Sequence, residues 1–147
     1  MNAKLLISAL CLAVSLIGYA ADNKIGQERY QKHCHVCHSE QMSPAMKSPT
    51  VHQVDKWDPY VKSAILQASD NKTQNCSSLT EKTDDSKTLT IENKQINQLS
   101  AQQKACYLLP LAKKGVINGS AVMPPMGTCM DCSDEQLQQA IVYMIAQ

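Results

Sequence analysis

The clearest hydrophobic periodicity lies at the C-terminal end of the chain. Leu137, Ala140, Ile141, Met144 and Ile145 form one apolar stripe, and Ser133 with Gln136 has the spacing of a capping box, with Asp134 and Glu135 in the first turn. This predicts an amphipathic helix opening at Ser133. A similar segment opens at Ser100 with Gln103 and carries Ala105, Leu108, Leu109 and Ala112 up to Gly115. Pro110 removes a backbone donor from it, which predicts a kink or a later start. From Asp22 to Cys37, good helix formers surround a seam of Gly26, Tyr30, Cys34 and Cys37, whose spacing places them on one face. A shorter helix is predicted from Pro59 to Gln67, with Asp58 as its cap and Val61, Ala64 and Ile65 on its apolar side.

The segments between are polar. Residues 39–57, with Pro44 and Pro49, have little periodicity and read as an irregular loop. Residues 70–100 are dominated by Ser, Thr, Asn, Gln, Lys and Asp, cannot bury much surface, and read as a surface insertion rather than a second domain. Within them "KTLTIEN" has the composition of a short strand. Strand signal is otherwise slight and no repeat is found, so the predicted class is all-α.

The first twenty residues, "MNAKLLISALCLAVSLIGYA", place Lys4 before an apolar run from Leu5 to Ile17 that is short for a membrane span. They read as a secretory signal peptide, residues 1–20, cleaved after Ala20, with an uncleaved anchor as the alternative. Cys11 follows Leu10, which is bulky where a lipid-attachment site needs a small residue. The mature chain would then be a single domain, 21–147. Its charge is balanced, because loss of Lys4 from 14 basic residues leaves 13 against 13 acidic ones. No strong field favours nucleic acid or an acidic membrane surface. Export would place the six remaining cysteines in an oxidising compartment, where thiols pair unless other chemistry consumes them.

Candidate chemistry concentrates in Tyr30 to Glu40, "YQKHCHVCHSE". Three readings compete: a zinc cluster, a dithiol redox centre and a c-type haem attachment site. On a helical turn Cys34 and Cys37 face the same way, so two thiols can reach two vinyl groups on one porphyrin edge while His38 lies beneath the iron. Zinc needs a second ligand pair. Cys129 and Cys132 in "CMDC" offer one, without a following histidine or ribbon-like strands. A dithiol centre uses a strand and helix scaffold that the predicted elements lack. A sixth ligand for haem iron is available in "GSAVMPPMGTC", where two prolines restrict the backbone after Met123. Met126 is the competitor and His52 a third option. A methionine thioether is neutral and soft; with a histidine it fills both axial sites and raises the potential, which favours electron transfer over oxygen chemistry. His33 and His35 are predicted to face water.

With these residues the chain resembles the small class I cytochromes c and, within them, the bacterial cytochrome c5-like group. The likeness rests on "CHVCH" with Gly26 and Tyr30 upstream, on "SPTVHQVDKWDP" with Pro49 and Trp57, and on "VINGSAVMPPMGTCMDCSDEQLQQAIVYM". The resemblance implies a cytochrome c fold with crossing N- and C-terminal helices, meeting at Gly26 and Tyr143, and one covalent haem c. It assigns thioether attachment to Cys34 and Cys37, and the axial positions to His38 and Met123. It implies a disulfide between Cys129 and Cys132, a carbonyl of Pro49 that accepts from His38, and Trp57 near the haem propionates. Accepting that disulfide, Cys76 and Cys106 remain to pair, at the base of the insertion, the alternative being that they stay free or pair between chains. Tyr60 stands where the family commonly has an arginine, and the segment from about 70 to 105 has no counterpart in compact members.

The expected function is that of a periplasmic monohaem one-electron carrier, not an enzyme. Its expected partners are membrane or soluble redox proteins, with no nucleic acid and no strong membrane association after cleavage. Two alternatives are a haem sensor or gas- or peroxide-binding module with a labile sixth ligand, and a docking subunit of a larger redox complex.

Overall fold

The computed structural model describes residues 24–70, 76, 93–118 and 121–146. The predicted signal peptide, most of the polar insertion, and all of the candidate strand except Asn93 lie outside them. Helix α1 spans residues 24–38; its Tyr30–Cys34 turn is π-helical and its last turn is His35–His38. A short α2, Ser43–Met46, interrupts the predicted loop. Then come α3 (Val54–Asp70), α4 (Asn93–Asn97) and α5 (Ala101–Lys114). A two-stranded antiparallel hairpin of β1 (Val116–Asn118) and β2 (Ala121–Met123) follows, and α6 (Asp134–Ile145) ends the domain. The described chain is mostly helical, with the hairpin as an addition to the all-α expectation.

The inward face of α1 carries Gly26, Tyr30, Cys34 and His38, all buried, whereas Cys37 is half-buried beside it. A regular α-helix drifts by about 40° for each step of four residues. The wider π turn takes up part of that drift and keeps His38 on the line. This face meets α6. A Cβ on Gly26 would press into the Gln139 carbonyl, whose carbon lies 3.0 Å away, and would lie 3.2 Å from the Tyr143 Cβ. Tyr30 and Tyr143 pack beside the crossing with ring centroids 5.3 Å apart. Both predicted capping boxes form, at Ser100 with Gln103 and at Ser133 with Gln136.

Helix α3 begins at Val54, ahead of the predicted start at Pro59. Trp57, 6 % exposed, donates its indole N–H to the Thr50 carbonyl at 2.8 Å and so anchors the first turn. Asp58 does not cap the helix; it accepts from Lys104 at 2.8 Å, and the lysine side chain is only 4 % exposed. Pro59 and Pro110 both sit within continuous helices on exposed positions. There the pyrrolidine ring meets solvent, and water can replace the missing donor. Val61 and Ile65 from α3, Ile96 from α4, Leu108 from α5, and Leu137, Ile141, Met144 and Ile145 from α6 form the core. Cys76 is bonded to Cys106, with Cα atoms 5.8 Å apart, and the Tyr107 hydroxyl donates to the Cys76 carbonyl at 2.9 Å. This staples the foot of the polar segment to α5.

Candidate functional site

An apolar cavity of about 260 Å³ opens between the end of α1, the loop at 46–49, α3, α5, the hairpin and α6. Cys34, Cys37, His38, Pro49, Trp57, Tyr60 and Met123 all line it, so residues far apart in sequence converge on one space. Met126 and His52 do not line it. The His52 ring instead bonds the Ala146 carbonyl through Nδ1 at 2.7 Å and packs edge-on against Tyr143. Among the described residues Cys34 and Cys37 are the free thiols. Burial, and secondarily the neighbouring Cys37 sulfur, push the Cys34 thiol up to about 11, so it stays uncharged at neutral pH.

His38 is held from several directions. Its Nδ1 donates to the Pro49 carbonyl at 2.8 Å, and a carbonyl can only accept, so Nε2 is left with the lone pair. The ring stacks on Trp57 with centroids 5.1 Å apart. The indole N–H is already engaged by Thr50, so Trp57 contributes to the cavity as an apolar wall and as a support for His38. Burial holds the His38 imidazole below its ordinary pKa, opposed by the Pro49 bond. The segment 48–52 bridges the ends of two helices. Ser48 Oγ donates to the Cys37 carbonyl, Val51 N–H to the His38 carbonyl at 2.8 Å, and His52 N–H to the Met144 carbonyl at 2.7 Å. Ser43 and Thr50 hydroxyls bond at 2.6 Å beneath it.

Met123 is delivered to the same cavity by the hairpin, paired with Val116 in register. Gly115, at φ 81°, allows this approach: a Cβ there would lie 2.8 Å from the Met123 carbonyl oxygen. After Pro124, the chain reverses through Met126, Gly127 and Thr128, all at positive φ. For a β-branched Thr128 at φ 73° this conformation is strained, by roughly 1–3 kcal/mol, and a disulfide follows directly. That disulfide joins Cys129 to Cys132, which removes the second ligand pair that a zinc cluster would need.

His33 differs from its expectation. Its side chain is 12 % exposed and lines the cavity, and its Nε2 is buried without a hydrogen-bond partner. His35 is exposed as expected, with its ring edge against Tyr30. The hairpin was not foreseen, although "VINGSAV" carried its signal in the sequence: a Gly-Ser pair between apolar runs is the composition of a short hairpin.

Two free thiols, an imidazole with one free nitrogen and a thioether around an apolar cavity are the donor set that covalent haem requires. Residues 21–144 match the family model described as cytochrome C oxidase, cbb3-type, subunit III. The chain belongs to this cytochrome c family. Its members carry covalent haem c and transfer electrons, and the α1–α6 contact agrees with a cytochrome c domain. Comparisons with curated proteins and with solved structures each gave no significant match. Among the described residues no helix is long and apolar enough to cross a membrane.

Proposed function

We propose that this protein is an exported monohaem cytochrome c of c5-like type that carries single electrons between redox proteins in the periplasm. Cys34 and Cys37 would hold the haem as thioethers, and His38 and Met123 would be its axial ligands. The observation that carries this reading is the convergence of those four side chains on one apolar cavity, with Met126 and His52 outside it. When bound, the haem supplies a one-electron couple at its iron. The protein's own residues do the rest. Pro49 orients His38 and fixes its proton on Nδ1. Trp57 and the apolar walls exclude water and lower the local dielectric. The hairpin and Gly115 aim the Met123 sulfur.

The exposed rim suits brief docking. Val36 and Val122 line the cavity mouth and remain largely exposed, and Lys32 and Lys47 are the charged residues beside them. A small apolar contact with a few charges releases quickly, as a carrier must. The family description, an oxidase subunit, favours a second reading in which the protein works bound to a larger redox complex. Co-purification with a membrane complex would support that reading, and recovery as a free soluble monomer would favour the mobile carrier.

The deciding experiment is a pyridine haemochrome spectrum of exported protein beside a Cys34→Ala, Cys37→Ala variant. Covalent haem is expected in the wild type only. Met123→Leu should abolish the red-region band of methionine bound to ferric iron, and Met126→Leu should leave it. Loss of the band in Met126→Leu alone would transfer the sixth position to Met126.

A further inference from the structure

We propose that His33 is a proton-binding site coupled to the redox state of the cavity, taking up a proton at Nε2 when the centre is reduced and releasing it on oxidation. The inference rests on the haem reading of the cavity. His33 lines that cavity next to Cys34, and its Nε2 is buried without a hydrogen-bond partner. The Asp131 Oδ1 carboxylate oxygen is 3.8 Å away, beyond a hydrogen bond yet within ion-pair range. A neutral imidazole can leave Nε2 as an unused acceptor; an imidazolium would make it a donor aimed at that carboxylate.

The charges around His33 are few. On α1 they are Arg29, which approaches the other oxygen of Asp131 at 3.6 Å, with Lys32 and the neighbouring His35. The Pro125–Thr128 turn, whose Thr128 hydroxyl bonds the His33 carbonyl at 3.4 Å, brings no charge. The disulfide loop brings Asp131, and α6 carries Asp134 and Glu135 at its start. Cys129 lies close but is bonded to Cys132 and does not titrate. One carboxylate therefore faces the orphaned nitrogen, and the charge of the redox centre is the remaining variable. An added electron, delivered by the redox partner, makes the cavity more negative and favours the imidazolium. A proton from water balances it, and oxidation returns both. Inside an apolar wall this coupling is weakly screened.

The test is the midpoint potential of the haem-loaded protein, titrated spectroelectrochemically across about pH 5–8, the range in which histidine changes charge. In the wild type the potential should fall with rising pH over part of this range. The limiting slope is a tenfold change in the reduction equilibrium per pH unit, about 59 mV for one electron. His33→Gln should flatten this segment, and Asp131→Asn should keep the slope but move it to lower pH. NMR of the His33 ring in wild type gives a second measure, with a higher titration midpoint in the reduced than in the oxidised protein. A slope that survives in His33→Gln, or equal midpoints in the two states, would overturn the proposal while leaving the haem reading intact. Absence of a haemochrome signal would overturn both.

Discussion

Replacing Gly26 by alanine tests the helix crossing on which the site depends. In an isolated helix the change is favourable by about 1 kcal/mol, because glycine has the higher conformational entropy to lose. Here the added methyl would meet the backbone carbonyl of Gln139 and the Cβ of Tyr143 at 3.2 Å. Backbone cannot rotate away as a side-chain tip can, so α1 and α6 must separate. Overpacking of this kind costs about 1–3 kcal/mol, and a backbone obstacle places it at the upper end. The expected net loss is about 2 kcal/mol, or roughly 8 °C in melting temperature for a domain of this size. Thermal unfolding of the haem-loaded protein followed by circular dichroism measures it. Gln27→Ala, on the exposed side of the same helix, is the control and should be neutral or slightly stabilising. Equal or higher stability of Gly26→Ala would refute the close approach and with it the account of how α1 is held.

Three other perturbations probe separate parts of the fold. Lys104→Met should destabilise by about 1–2 kcal/mol, because it strands the Asp58 carboxylate; that group is 21 % exposed, which reduces the cost from that of a fully buried pair. Adding Asp58→Asn should recover much of the loss in urea denaturation, and a double variant no more stable than the single one would contradict this. Removing Cys76 and Cys106 together as alanines should cost about 3–4 kcal/mol by loop-closure entropy for a separation of 30 residues, while the haem spectrum stays unchanged; a spectral change would show that the staple also shapes the cavity. The depressed pKa of His38, set first by burial, gives a pH dependence in a haem-free Cys34→Ala, Cys37→Ala variant. Its unfolded chain takes up the proton near pH 6.5, before the folded one does, so this stabilising contribution is present above that value and is lost as pH falls through the lower native pKa. The urea midpoint should drop on acidification and drop less when His38 is also changed to Asn; an unchanged acid dependence would count against the role of His38.

What could be read from the sequence was local chemistry. Both capping boxes are hydroxyl and amide side chains three residues apart, and the C-terminal stripe needs only the helical period, so Ser100, Ser133 and the face from Leu137 to Ile145 were legible. The haem motif is also local. What escaped depends on contacts across the chain. Helix α3 starts at Val54 because Trp57 is tied to Thr50, and no short-range signal outweighs Pro59 as a helix start. Lys104 is a lysine in a polar-looking stretch whose burial becomes tolerable only when Asp58 arrives from another helix. His33 is partly covered beside the disulfide loop, nearly a hundred residues onward, so its flanking residues gave no warning. Pairing of Cys76 with Cys106 followed only after the resemblance had assigned the other pair.

The π turn at Tyr30–Cys34 has a consequence for how chains of this kind can vary in length. Deleting one residue there would restore a regular α-helix and bring the step from Gly26 to His38 within about 20° of a whole number of turns, so the inward face would be kept, whereas a second deletion would swing everything beyond it by about 100° around the axis. His38 would leave the Pro49 carbonyl, although every residue of "CHVCH" would still be present. Insertions and deletions in the stapled polar segment leave the cavity walls where they are. A single-residue deletion at the π turn should therefore be tolerated better than a two-residue deletion inside α1, which should be far more damaging to haem attachment than a deletion of several residues between Cys76 and Asn93.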